Sequence, residues 1–149
     1  MILRRRTLLQ MLAVTPLAAG TASCNAAQAS IYHDPECGCC TKWTQLLASD
    51  GRYSLTMIPT VDRSALHRKI GLPAELAACH TAVIGRYAFE GHVPLADIAR
   101  LLSERPDDVS GLTVPGMPVG SPGMEDADQR DNFSVLAFGK FGTRVYNRY

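Results

Sequence analysis

Three cysteines within four residues, Cys37-Gly38-Cys39-Cys40, form the densest chemistry in the chain. They hold a C-x-x-C spacing between 37 and 40, a C-x-C spacing between 37 and 39, and a vicinal pair at 39 and 40. A thiol–disulfide redox motif needs only two of these thiols. Packing three thiolates so closely is electrostatically unfavourable unless protons or a cation neutralise them, and soft sulfur ligands select Cu(I) over harder metals. Gly38 lets the loop adopt backbone angles that a β-branched residue resists. Two alternatives stay open at this point: a structural disulfide with a spare thiol, or disulfide exchange with Cys37 as nucleophile and Cys40 as resolving thiol. A complete zinc site is disfavoured, because no second C-x-x-C follows.

A fourth sulfur stands about forty residues on, in Cys79-His80, immediately before the β-prone run Thr81–Ile84. Cys79 is either a metal ligand or a small buried hydrophobe, a common fate of free cysteine. His80 can ligate, hydrogen-bond a thiolate or cap the strand. His92 reads as a turn or supporting residue, His33 as turned away by Asp34-Pro35, and His67 as solvated beside Arg68 and Lys69. Pro115-Gly116-Met117 recurs seven residues later as Pro122-Gly123-Met124. A loop so rich in Pro and Gly is free to cover a neighbouring site, where thioethers suit Cu(I) without adding negative charge; otherwise both methionines fill core gaps.

The elements that must position these groups follow from periodicity. Ser30–Tyr32 is a short strand entering the cysteine loop, and a helix from about Thr41 carries Trp43, Leu46 and Leu47 at helical spacing before Gly51. Tyr53–Ile58 alternates as a strand. Asp62 then N-caps a helix with Ala65, Leu66 and Ile70 on one face, stopped by Gly71 and Pro73. Thr81–Ile84 and Tyr87–Phe89 are two strands, and Pro94 opens a helix with the stripe Leu95, Ile98, Leu101 and Leu102. The order β-α-β-α-β-β-α is that of an α/β, thioredoxin-like domain, a central sheet with flanking helices. In such a sheet the loop entering the third strand lies against the cysteine-bearing helix, which would bring Cys79 to the cluster. A Pro/Gly loop over Val114–Gly123 and a hairpin of Ser134–Phe138 and Thr143–Tyr146 complete the chain.

Residues 1–29 have the form of an export signal. Arg4, Arg5 and Arg6 precede an apolar run from Leu8 to Ala19, too short to span a bilayer, and Arg5-Arg6-Thr7-Leu8-Leu9 fits the twin-arginine pattern. Ala27-Gln28-Ala29 is an A-x-A cleavage site that would release a single domain over 30–149 and discard Cys24. Thr21-Ala22-Ser23-Cys24 is a poor lipobox, so the expectation is a soluble periplasmic protein without lipid anchor or stable membrane insertion. Of 15 Lys+Arg, the loss of three arginines leaves 12 against 14 Asp+Glu. A mature charge of about −2 without a basic stripe excludes nucleic acid as a partner.

The stretch Tyr32-His33-Asp34-Pro35-Glu36-Cys37-Gly38-Cys39-Cys40, with Trp43 following, resembles the CopG family of periplasmic thioredoxin-like copper-resistance proteins. The resemblance continues through Cys79-His80-Thr81-Ala82, Glu90-Gly91-His92-Val93-Pro94 and Val114-Pro115-Gly116-Met117 to Met124. It implies copper binding at Cys37, Cys39 and Cys40 with Cys79 contributing, and redox interconversion of Cu(I) and Cu(II). Copper or silver ions and other copper-export or copper-resistance proteins are the partners expected on this basis. Whether such a protein is an enzyme, a carrier or a buffer is left open.

Overall fold

The computed structural model describes residues 26–149. The arginine-led segment and Cys24 lie outside the described residues. Seven strands form one sheet in the order β2-β1-β3-β4-β5-β6-β7: β1 Ala27–His33, β2 Tyr53–Pro59, β3 His80–Ile84, β4 Tyr87–Gly91, β5 Val109–Val114, β6 Ser134–Gly139 and β7 Gly142–Arg148. The helices are α1 Gly38–Ser49, α2 Ser64–Ile70 and α3 Leu95–Glu104, with a single 3-10 turn at Ala74–Leu76. β1 pairs parallel with β2 and antiparallel with β3, and β3 pairs antiparallel with β4. That is the thioredoxin-like unit expected from the element order.

Strand alternation assigns the two faces of the sheet. Ala29 and Ile31 of β1, Ala82 and Ile84 of β3, and Tyr87 and Phe89 of β4 share a core with Trp43 and Leu47 of α1 and Ile98 and Leu101 of α3. Ala88, on the opposite face of β4, packs with Leu72, Phe138 and Ile70 beside α2. The first cluster includes the fully buried indole of Trp43, a burial that contributes roughly 2–3 kcal/mol by its apolar area alone.

Several boundaries differ from the sequence expectation, each for a local reason. α1 begins at Gly38 rather than near Thr41, so Cys37 is its N-cap and Cys39 and Cys40 lie in its first turn. Gly38 is there an ordinary helical residue rather than a source of unusual backbone angles. α2 starts at Ser64, and Asp62 serves it through an Asx turn, its Oδ1 accepting the Ser64 amide at 2.9 Å. Pro94 is the N-cap of α3. β5, absent from the periodicity reading, pairs parallel with β4 through the α3 crossover and antiparallel with β6. It joins the C-terminal hairpin to the thioredoxin-like sheet. β1 starts at Ala27, so a cut after Ala29 would fall inside the strand. Ala29 is fully buried and registers with Leu55 and Ile84.

Candidate metal centre

The turn into α1 and the loop entering β3 bring four sulfurs together. The Sγ atoms of Cys37, Cys39, Cys40 and Cys79 all lie within 4.8 Å of one another. Cys37 and Cys40 are disulfide-bonded, the pairing that the exchange reading expects, while Cys39 and Cys79 are thiols. Cys39 Sγ stands 3.3 Å from Cys37 Sγ and 3.9 Å from Cys79 Sγ. Cys40 is fully buried, and its sulfur reaches the Cys79 carbonyl at 3.6 Å.

Cys79 is also the hub of a second donor set. Its sulfur lies 3.2 Å from Nδ1 of His80 and 3.3 Å from Nε2 of His92, and the three donor atoms share one 4.8 Å neighbourhood. The sequence suggests only a turn or supporting part for His92, yet the fold brings its ring nitrogen into the cluster with Cys79 and His80. It follows Gly91, whose φ of 70° is left-handed, and the loop around Pro122 holds it in place. His92 Nδ1 is 2.7 Å from the Pro122 carbonyl. Since a carbonyl can only accept, Nδ1 carries the proton and Nε2 presents its lone pair toward Cys79. His80 is packed against the Trp43 ring at 4.5 Å between centroids. Its Nε2 is buried without a hydrogen-bond partner.

Burial sets the protonation states. It pushes the Cys79 thiol up to about 12, with repulsion from Cys39 adding to the effect. It pushes His80 down to about 3, His92 contributing, and lowers His92 itself against the opposing pull of the Pro122 carbonyl. Both imidazoles are thereby neutral at ordinary pH, the form that ligates metals. Cys79 keeps its proton until a cation displaces it. This donor set fits a soft monovalent ion: sulfur-rich, with neutral imidazoles and few hard oxygens.

The remaining candidates separate. Met124 lines an open cleft of about 420 Å³ with Gly38, Cys39, Lys42, Val119 and Glu125. Met117 is 41 % exposed just after the turn at Pro115-Gly116 and is not part of that lining. His33 is turned to the Asp34 carbonyl, 3.0 Å from its Nδ1. His67 is not solvated: its Nε2 lies 3.3 Å from Thr81 Oγ1 and 3.4 Å from Glu90 Oε1, on the α2 face.

The fold and site together define a thioredoxin-like domain whose cysteine motif has grown into a sulfur–histidine cluster with the chemistry of a metal centre. Residues 76–124 match a family of unknown function, DUF411, and no curated protein matches the chain. Two solved structures, forms 1 and 2 of copper resistance protein CopG, are 38 % identical to it with a TM-score of 0.76. The match covers 84 % of this chain and 98–99 % of theirs. This chain belongs to the CopG family of copper resistance proteins.

Proposed function

We propose that the protein binds copper as Cu(I) through Cys37, Cys39, Cys40 and Cys79, with His80 and His92 completing the donor set, and that it serves copper tolerance in the periplasm. The observation that carries this reading is the convergence of four sulfurs from chain-distant segments within 4.8 Å. Silver, also a soft monovalent cation, suits the same donors. Reduction of the Cys37–Cys40 disulfide supplies the last two thiolates.

That disulfide also links binding to redox chemistry. Two Cu(II) ions accept one electron each from the Cys37/Cys40 dithiol, which forms its S–S bond and releases two protons; the Cu(I) produced then has Cys39, Cys79 and the two histidines as ligands until an external thiol reductant restores the dithiol. The open cleft beside Cys39 and Met124 is the route by which Cu(I) passes to another copper-export or copper-resistance protein.

One observation favours a second reading, a thiol–disulfide oxidoreductase: Cys37 is partly exposed, as a nucleophile must be, and Cys40 is buried, as a resolving thiol often is. Titration of the reduced protein with Cu(I) against a strong chelator, beside an assay of disulfide reductase activity, separates the two. Tight Cu(I) binding with negligible reductase turnover supports the copper reading. Rapid turnover without Cu(I) binding overturns it.

A further inference from the structure

Cys79 is the sulfur common to both donor sets, yet it stands on a loop rather than on a strand or helix. The preceding residue, Ala78, is held on both sides. Its amide donates to Glu90 Oε1 at 2.8 Å, and its carbonyl accepts from Arg63 Nη2 at 2.7 Å. That carbonyl belongs to the peptide joining Ala78 to Cys79, so the Arg63 bond fixes the plane from which the Cys79 side chain departs.

Both grips are themselves anchored. Arg63, the N-cap of α2, also reaches the Thr60 carbonyl through Nη1 at 3.3 Å. Glu90 is fully buried in β4, where its Oε2 accepts from the Thr81 hydroxyl at 2.5 Å and its Oε1 lies 3.4 Å from His67 Nε2. The backbone permits the approach only because residue 91 is glycine: a Cβ there would stand 2.8 Å from Ala78 Cβ and 2.7 Å from the Val114 carbonyl. Strand alternation puts Thr81 and Glu90 on the α2 face of the sheet, whereas His80 points to the α1 face with Trp43. None of these grips is explained by the apolar core, since a fully buried carboxyl and a half-buried guanidinium are both committed to one loop residue.

We infer that Arg63 and Glu90 are positioning residues for Cys79, acting through the Ala78 backbone to hold its sulfur between the cysteine turn and His92 without touching the metal. This rests on the copper-binding reading, but its first test needs no metal. In the full chain with the Cys37–Cys40 disulfide intact, the rates at which iodoacetamide alkylates Cys79 and Cys39 are read on separate peptides by mass spectrometry. Cys39 is the internal reference, because general loosening speeds both thiols, whereas loss of positioning acts on Cys79 first and reaches Cys39 only through their long 3.9 Å contact.

Arg63→Met and Glu90→Leu should each raise the Cys79-to-Cys39 rate ratio about tenfold, the factor carried by leaving one buried backbone group without its hydrogen bond. Glu90→Gln keeps an acceptor for the Ala78 amide and should leave the ratio near that of the wild type. On the reduced protein, Cu(I) affinity by chelator competition should fall about tenfold in the first two variants and stay unchanged in the third. A ratio unmoved in Arg63→Met overturns the inference even where Glu90→Leu fails to fold. So does a Glu90→Gln variant as altered as Glu90→Leu, which would assign the effect to charge. Failure of the wild type to bind Cu(I) would sink the copper reading while the alkylation ratio still decides the clamp.

Discussion

At the scale of single residues, the site runs on neutral forms held by burial. His80 is held down to about 3 against an ordinary 6.5, so between these values the unfolded chain binds a proton that the folded one refuses, and stability falls as pH drops below 6.5. Glu90 works in the opposite sense, raised by burial to about 7 from 4.5. The folded state binds its proton more readily than the unfolded state, so its contribution is fully present below 4.5 and is lost as pH rises through 7. His67 is lowered, by burial first, so near pH 7 its imidazole is neutral and its contact with Glu90 is not an ion pair. In the wild-type metal-free protein the Glu90 gain offsets the His80 loss between pH 7 and 4.5, so thermal stability should fall mainly on acidification below pH 4.5. Glu90→Gln should lose it more steeply, the two curves diverging by about 3 kcal/mol between pH 7 and 4.5. Parallel pH profiles from thermal melts would contradict these protonation states. The cysteines and His80 could be found from residue type and spacing alone. His92 and His67 could not, because each owes its environment to partners distant in sequence, the Pro122 carbonyl for one and Glu90 for the other.

Elements converge on the site through a few close approaches. The Trp43 indole of α1 donates to the Val93 carbonyl at 3.0 Å, tying the cysteine helix to the loop of His92. The loop of Pro122 closes on the same helix: Gly123, with φ 83°, lies where an added Cβ would stand 2.8 Å from the Trp43 amide nitrogen. Gly123→Ala should therefore push this loop off α1 and withdraw the Pro122 carbonyl from His92. The expected result is a Cu(I) affinity lowered about tenfold for a stability loss of about 1–2 kcal/mol, measured by chelator competition and denaturant unfolding. Unchanged affinity would show that the loop does not support His92. Similar packing explains why β5 was invisible in the sequence. In Val109-Ser110-Gly111-Leu112-Thr113-Val114, Gly111 reads as a strand breaker, yet a side chain there would overlap the Ala88 carbonyl of β4 and the ring of Phe138. The glycine is what lets the three strands come together. The thioredoxin-like portion was legible because each of its elements carries its own period and stop signal.

For the whole molecule, the C-terminal strands are part of the same core as the metal-bearing unit. Asp97 of α3, itself buried, accepts from Asn147 at 3.0 Å and from the Tyr149 hydroxyl at 2.9 Å, and the Tyr149 ring stacks on Phe133. At the other end of the chain, β1 occupies the interior of the sheet between β2 and β3, and Ala27 is bonded to the Arg52 carbonyl at 2.8 Å. Loss of 27–29 would remove three of the seven residues of this strand. We propose that export processing cuts before Ala27, leaving β1 whole. Intact-mass analysis of protein recovered from the periplasm should give an N-terminus at or upstream of Ala27; one at Ser30 would contradict this. Among the described residues no helix is long and apolar enough to cross a membrane.

We propose above all that sulfurs from the cysteine turn and from Cys79 hold the same copper. X-ray absorption on the reduced, Cu(I)-loaded full chain tests it, with Cys39→Ser, Cys79→Ser and the double variant measured alongside for affinity. Ligands of a shared centre are coupled, so their effects should not add. Sulfur should dominate the copper shell in the wild type. Each single variant should lose sulfur coordination and lower affinity by about a hundredfold or more, since the loss of an outer-shell partner alone costs up to about that much, and the double variant should do little worse. Independent, additive losses, or a shell of nitrogen and oxygen that the Cys79 substitution leaves untouched, would contradict the account.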